Sequence, residues 1–346
     1  MGYALNVDAP RKIGLAEYKE RPLEPGEVRL RTLHSGISAG TELTLFRGSN
    51  PYLAKSWDNE RRLFVSSNNS WSYPMGAIGY EEVGEVIELG AGAEGVEIGD
   101  IVWGAWGHKS THVCTADWAQ HRRMPKDLDP LFGIFSQIGA IALNAVIDAD
   151  IHIGETVAIF GQGAPGLMVT QLAKASGAHV IAVDRLASRV EMGRANGADI
   201  VLNGLELDAP ARIKELTGNL GADISIEITG HTSALQDAIR ATAYNSRVVV
   251  SGFFQGEARG LMLGEEFHHN RIDLVCSQIS GVNPKVDHRW NRMRLDQTIM
   301  RLQAERRVDF KRLITHRFNA RDLQQAYDLL EDRPQDALQV VLDFDA

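Results

Sequence analysis

The run Gly161-Gln162-Gly163-Ala164-Pro165-Gly166 follows the apolar stretch Val157–Phe160 directly and opens a segment with helical spacing. Each glycine has a physical reason to be there. Gly161 permits a tight turn, Gly163 lets the backbone approach a pyrophosphate, and Gly166 lets helix and strand pack closely. The helix start then offers unpaired N–H groups and a partial positive charge to phosphates. Asp184 ends the next apolar run, where its carboxylate is placed to accept hydrogen bonds from both adenosine ribose hydroxyls and to repel a 2′-phosphate. The chemistry expected is dinucleotide binding, NAD before NADP. Arg185 supplies a cation that softens this preference, and Arg189 joins the expected cofactor contacts. The only two cysteines, Cys114 and Cys276, lie far apart, which excludes a disulfide framework and a zinc site built mainly of thiolates. His108, His112 and Cys114 have ligand-like types but read as a polar loop.

The glycine loop needs a strand before it and a helix after it, and the chain supplies that rhythm from about residue 138. Apolar, β-branched runs at Val157–Phe160, Val180–Val183, 199–202, Ile224–Ile228 and Val248–Ser251 interleave with helical segments at 166–176, 187–196 and 233–242. Such runs imply a parallel sheet covered on both faces, an α/β fold of the doubly wound kind. The first 130 or so residues differ. Val28–Leu33 and Val83–Leu89 alternate at period two, and Ile101–Trp103 follows a glycine, so this part reads as a β-rich lobe. A polar and aromatic insertion from about Gly48 to Tyr73 separates two of its strands and either forms a wall or packs its own aromatics. Beyond residue 282 come helical segments at 296–305 and 320–330 and a last strand at 337–344.

Order and motifs together resemble the medium-chain dehydrogenase/reductase superfamily, the fold of zinc alcohol dehydrogenases, over nearly the whole chain. The segments that carry the resemblance are Glu27–Leu33, His34–Glu42, Gly79–Val86, Val96–Val102, Gly154–Val157, the glycine loop, Gly221–Gly230 and Leu313–Phe318. The resemblance implies a GroES-like catalytic domain over residues 1–137 and 282–346 and a Rossmann domain over 138–281. It also implies hydride transfer to or from a nicotinamide. Thr229-Gly230 and Ser251-Gly252-Phe253 end two strands where relatives hold the nicotinamide end. The strings His34–Glu42 and Gly79-Tyr80-Glu81 look like the branch containing bacteriochlorophyllide a dehydrogenase.

The departures from that pattern matter most. Zinc-dependent relatives place a Cys where this chain has Ser38 and a His where it has Tyr80; their remaining ligand falls near Ser136 or Gln137. Hydroxyls are poor zinc ligands and Glu81 alone cannot hold the metal, so no metal is expected. A protein group must then supply the proton that balances charge on a carbonyl oxygen. Tyr80 is the first candidate, with Lys109 as a cation that lowers its pKa and His108 as acid or relay. Ser38 and Thr41 are expected to hydrogen-bond substrate or the nicotinamide ribose, and Glu81 to orient neighbouring donors.

Composition narrows the class of function. With 44% hydrophobic and 23% charged residues the chain is globular, and 45 Asp+Glu against 36 Lys+Arg, a charge of −9, gives no pull toward nucleic acid or anionic membrane. The N-terminus lacks a signal-peptide pattern, and the uncharged run Pro130–Ile147 reads as a buried helix, so a cytoplasmic protein is expected. The expected activity is zinc-independent, NAD-dependent interconversion of a secondary alcohol and a ketone, of a sugar, cyclitol or polyol. Reduction of a conjugated double bond and non-catalytic NAD sensing are the alternatives. A homodimer or homotetramer is expected through the apolar edge strand Asp273–Ile279.

Overall fold

Runs of β-branched residues that are apolar at every position have no solvent face to offer, and residues 138–313 arrange theirs as a sheet buried on both sides. The computed structural model describes residues 1–66, 71–76 and 78–344. Six parallel strands lie in the spatial order Ile200–Asn203, His179–Asp184, Thr156–Phe160, Ala222–Glu227, Thr242–Val250 and Asp273–Cys276. The order reverses between Thr156–Phe160 and Ala222–Glu227, and ligands of such sheets bind at the carboxyl ends of the strands flanking that switch. The helices Ala164–Ala175, Ala187–Ala195, Ala209–Leu216 and Thr232–Ala241 connect them.

Contacts divide the chain into Met1–Gln137 with Ile314–Ala346, and Ile138–Leu313. The second boundary therefore departs from the expected residue 281. The reason lies in packing: helix Arg292–Ala304 buries Leu295, Ile299 and Met300, and a side chain at Gly139 would press against Ile299 and Phe310. Gln171 adds a two-way clasp, donating to the Asp309 carbonyl at 3.1 Å and accepting from the Asp309 N–H at 2.7 Å.

Period-two alternation in the other unit gives strands with one wet face. Its main sheet runs Ile314–Asn319, Gln339–Asp343, Glu27–Ile37, Glu82–Leu89, Ile101–Gly104, with Thr111–Thr115 also paired to Glu27–Ile37. A smaller sheet joins Lys12–Tyr18, Gly2–Ala9 and Met75–Gly76. Helix Ala39–Arg47 leaves the end of the longest strand and packs Leu43 and Phe46 into a core with Tyr327 and Leu330 from the returning C-terminal segment. The insertion packs its own aromatics: Tyr52 stacks on Trp71 at 4.8 Å, and Phe64 meets Tyr52 and Trp57 edge-on. Residues 67–70 of that insertion lie outside the described residues. Pro130–Ala149 is long and apolar enough to cross a membrane, but 72% of that window is buried inside the protein, as in a core helix.

Candidate active site

At the carboxyl end of Thr156–Phe160 the chain turns through Gly161 with φ 107°, a left-handed conformation that suits glycine. A Cβ at Gly166 would run into the Gly161 carbonyl oxygen, so only glycine lets the helix start this close to the strand. A Cβ at Gly163 would meet nothing nearer than the Arg189 guanidinium at 3.9 Å; that open face leaves room for a phosphate to approach the backbone. Ala164 and Pro165 begin the helix, where proline's missing N–H costs no bond. The Asp184 carboxylate accepts from the Gln162 N–H at 2.7 Å and the Leu186 N–H at 2.9 Å, and its remaining lone pairs can take ribose hydroxyls. Arg185 donates to the Ser233 hydroxyl at 3.0 Å. These residues fit a dinucleotide. The side chain of Gln162 does not serve as a ligand group as expected. It is fully buried, donates to the Gly161 carbonyl at 3.0 Å and accepts from the Thr170 hydroxyl at 2.9 Å, bracing the loop from inside.

The next two strands end in turns that touch. Thr229 and Gly230 follow Ala222–Glu227; Ser251, Gly252 and the exposed Phe253 follow Thr242–Val250. The N–H groups of Ser251 and Gly252 donate to the Glu227 carbonyl at 2.8 and 3.1 Å.

In the β-rich unit, three hydroxyls gather. Tyr80 and Ser38 are hydrogen-bonded to each other, and Tyr80 donates to Thr41 at 3.3 Å. Ser38 sits at the start of helix Ala39–Arg47 without capping it by its side chain, so its hydroxyl is left for Tyr80. The Ser38 N–H donates instead to Glu42 at 2.8 Å. Burial, then the charges of Glu81 and Glu42, push the Tyr80 phenol well above its ordinary value, so it stays protonated. Lys109 was expected to lower that value and does not: it is itself pushed down by burial, while the charges bearing on Tyr80 are carboxylates.

His108 departs furthest from expectation. Its ring is fully buried and reaches neither solvent nor an open face. The Ser35 hydroxyl donates to Glu82 at 3.0 Å, so the His108 Nδ1, 2.6 Å from that same hydroxyl, must donate to it. Nε2 lies 2.7 Å from Glu42. Two donating nitrogens make an imidazolium. Burial opposes that charge, but Glu42 and Glu82 outweigh it and raise the pKa. His108 is a positioning residue, not a relay to Tyr80. Glu81 is also fully buried; it accepts from Gln339 at 3.0 Å and does not orient Tyr80. Burial, then Glu42 and Glu82, raise its pKa well above the ordinary carboxylate value. His112 stacks on Trp106 at 5.2 Å and is pushed down to about 3 by burial and Lys109; the Cys114 thiol is pushed up to about 12 by burial. Among the described residues, no three His, Cys, Asp or Glu side chains gather as a metal site.

Sequence reasoning assigned no role to Glu42, Glu82, Ser35 or Tyr327. The signal for Glu42 was its place in the first helical turn after Ser38. Tyr327, whose hydroxyl donates to Glu42, lies 285 residues away and left no local trace.

A family profile described as zinc-binding dehydrogenase matches residues 165–293. D-guloside 3-dehydrogenase of Escherichia coli (strain K12) is 32% identical over 305 residues, covering 86% of this chain and 87% of that one. The chain belongs to the medium-chain dehydrogenase/reductase superfamily. It is an oxidoreductase of the alcohol dehydrogenase type. L-threonine 3-dehydrogenase of Pyrococcus horikoshii is 27% identical over 340 residues, 88% of either chain. The fold matches 2R,3R-butanediol dehydrogenase from Bacillus subtilis with a TM-score of 0.80 at 21% identity, covering 99% of both chains. Hydroxyls are poor donors to the zinc that the superfamily resemblance implies. Ser38 and Tyr80, at positions where the resemblance places two ligands, are hydroxyls bonded to each other, and Glu81 Oε2 is taken by Gln339.

Proposed function

We propose that the chain is a zinc-independent, NAD-linked oxidoreductase that interconverts a secondary alcohol and its ketone in a hydroxyl-rich small molecule, a sugar, cyclitol or polyol. The observation that carries this is the Ser38–Tyr80–Thr41 hydroxyl cluster, in which Ser38 and Tyr80 stand where the superfamily resemblance puts metal ligands. The dinucleotide, when bound, carries the hydride. Reduction of a ketone builds negative charge on oxygen, and Tyr80 holds the proton that neutralises it. Ser38 and Thr41 then stabilise the phenolate by hydrogen bonds, a small preorganised network in a half-buried setting. A phenol with a raised pKa gives up its proton reluctantly, so alcohol oxidation is favoured at alkaline pH. Asp184 selects the free ribose of NAD. Relatives named for a guloside and for threonine, each at position 3, support an alcohol carbon inside a larger polar molecule. A homodimer joined at the edge strand Asp273–Cys276 completes the proposal.

The test is turnover of a panel of sugars, cyclitols and polyols with NAD and of the matching ketones with NADH, followed at the nicotinamide absorbance. Measurable turnover of a secondary alcohol or ketone is expected. Turnover confined to conjugated double bonds, or none with any substrate, would overturn the assignment.

A further inference from the structure

Glu227 ends the strand Ala222–Glu227 with a fully buried side chain, an unusual place for a carboxyl that no cation pairs among the described residues. Its Oε1 accepts from the Thr229 N–H at 2.6 Å, the Gly230 N–H at 3.0 Å and the Thr229 hydroxyl. Its main-chain carbonyl holds the Ser251 and Gly252 N–H groups of the next turn. One residue thus ties together the turns that follow two neighbouring strands. Those turns are in contact: a Cβ at Gly252 would strike the Gly230 nitrogen, and one at Gly230 would lie 2.6 Å from the Phe253 carbonyl oxygen. Two polar atoms at this junction are buried without a partner among the described residues, Glu227 Oε2 and the Ser251 hydroxyl. Burial raises the Glu227 pKa, against the bonds from Thr229, Gly230 and His231. Unsatisfied buried groups in a native fold ask for an explanation, and these lie at the carboxyl edge of a parallel sheet beside its switch point, where ligands bind.

We propose that Glu227 is a positioning residue for the nicotinamide half of the cofactor, its carboxyl holding the Thr229–Gly230 turn against the Ser251–Phe253 turn, whose Ser251 and Gly252 N–H groups its main-chain carbonyl holds, so that the two make one platform for the carboxamide. A carboxamide brings one acceptor and two donors, and paired turns offer main-chain N–H and C=O groups plus the Ser251 hydroxyl to match them. This rests on the NAD-linked assignment. The adenosine half is held by different residues, the glycine loop and Asp184, so the two halves are separable in a binding measurement.

NADH and ADP-ribose are titrated by calorimetry into the unmutated protein, Glu227→Ala and Glu227→Gln. Glu227→Ala is expected to weaken NADH by about tenfold or more while ADP-ribose stays within about twofold. Glu227→Gln keeps a carbonyl acceptor in place of Oε1 and is expected to retain NADH affinity. Equal losses for both ligands, or no loss for either, would overturn the clasp. Should Glu227→Ala not fold, Ser251→Ala carries the same test, since its hydroxyl has no bond to lose in the free protein; unchanged NADH affinity there counts against the platform. If the unmutated protein binds neither ligand, the NAD-linked assignment falls and this role with it; ADP-ribose binding without a gain from the nicotinamide removes the platform alone.

Discussion

Tyr80 combines a hydroxyl that neighbours can stabilise with an environment that keeps it protonated, and this sets what substitution should do. Tyr80→Phe removes only the hydroxyl; it is expected to leave NADH affinity unchanged by fluorescence titration and to lower kcat by roughly 10²–10⁴-fold. Retained turnover would assign the proton to another group. Asp184→Ala should weaken NAD(H) and narrow the gap to NADP(H), because the group that repels a 2′-phosphate is gone; calorimetry showing NADP(H) bound as tightly by the unmutated protein would refute that role. The buried glutamates and His108 set a pH dependence. His108 has a raised folded-state pKa, so its contribution is full below about 6.5 and is lost as pH rises through the raised value. Glu81 and Glu82 are raised too; the unfolded chain releases their protons from about 4.5 upward while the fold releases them only at higher pH, so their linkage acts in the same direction. The protein should therefore lose thermal stability toward alkaline pH. Glu81→Gln keeps the neutral shape and removes one linkage. Its Tm curve should meet the unmutated one toward acid and lie above it toward alkaline pH; curves that run parallel would contradict a raised Glu81 pKa.

Elements differ in how much of their role is written locally. The strand–glycine loop–helix unit from Thr156 to Ala175 was legible because the constraint is local: each glycine answers a clash or a φ within the same turn. Glu27–Ile37 and Glu82–Leu89 were legible because alternation reports a single buried face. The network behind the hydroxyl cluster was not. His108 sits in a loop, Glu42 on a helix, Glu82 on a strand and Tyr327 on the returning C-terminal helix, and only folding brings them together. Gln162 looked like a cofactor contact because its neighbours are, yet in a turn the side chain between two glycines can point inward, and this one does. Residues 282–313 were misplaced because helical spacing shows that a helix has an apolar stripe, not which core covers it. The elements also differ in consequence: Glu42→Gln leaves a buried imidazolium without its partner, and is expected to cost about 3–5 kcal/mol by denaturant unfolding. A loss within experimental error would mean that His108 is neutral.

For the molecule as a whole, the six-stranded sheet ends at Asp273–Cys276, which among the described residues has a neighbouring strand on one side only. The proposed pairing with a second copy would satisfy it, so light scattering should give about twice 38.1 kDa or a higher multiple, and a stable monomer would remove the proposed interface. The proposed function combines the superfamily's hydride chemistry with a proton donor made of hydroxyls, and the decisive question is whether metal takes part. Zinc per chain is determined on the purified protein, and turnover is followed before and after exhaustive chelation of that same sample. The account predicts well under about one zinc per chain and unchanged turnover; about one tightly held zinc whose removal abolishes activity and whose return restores it would contradict the account.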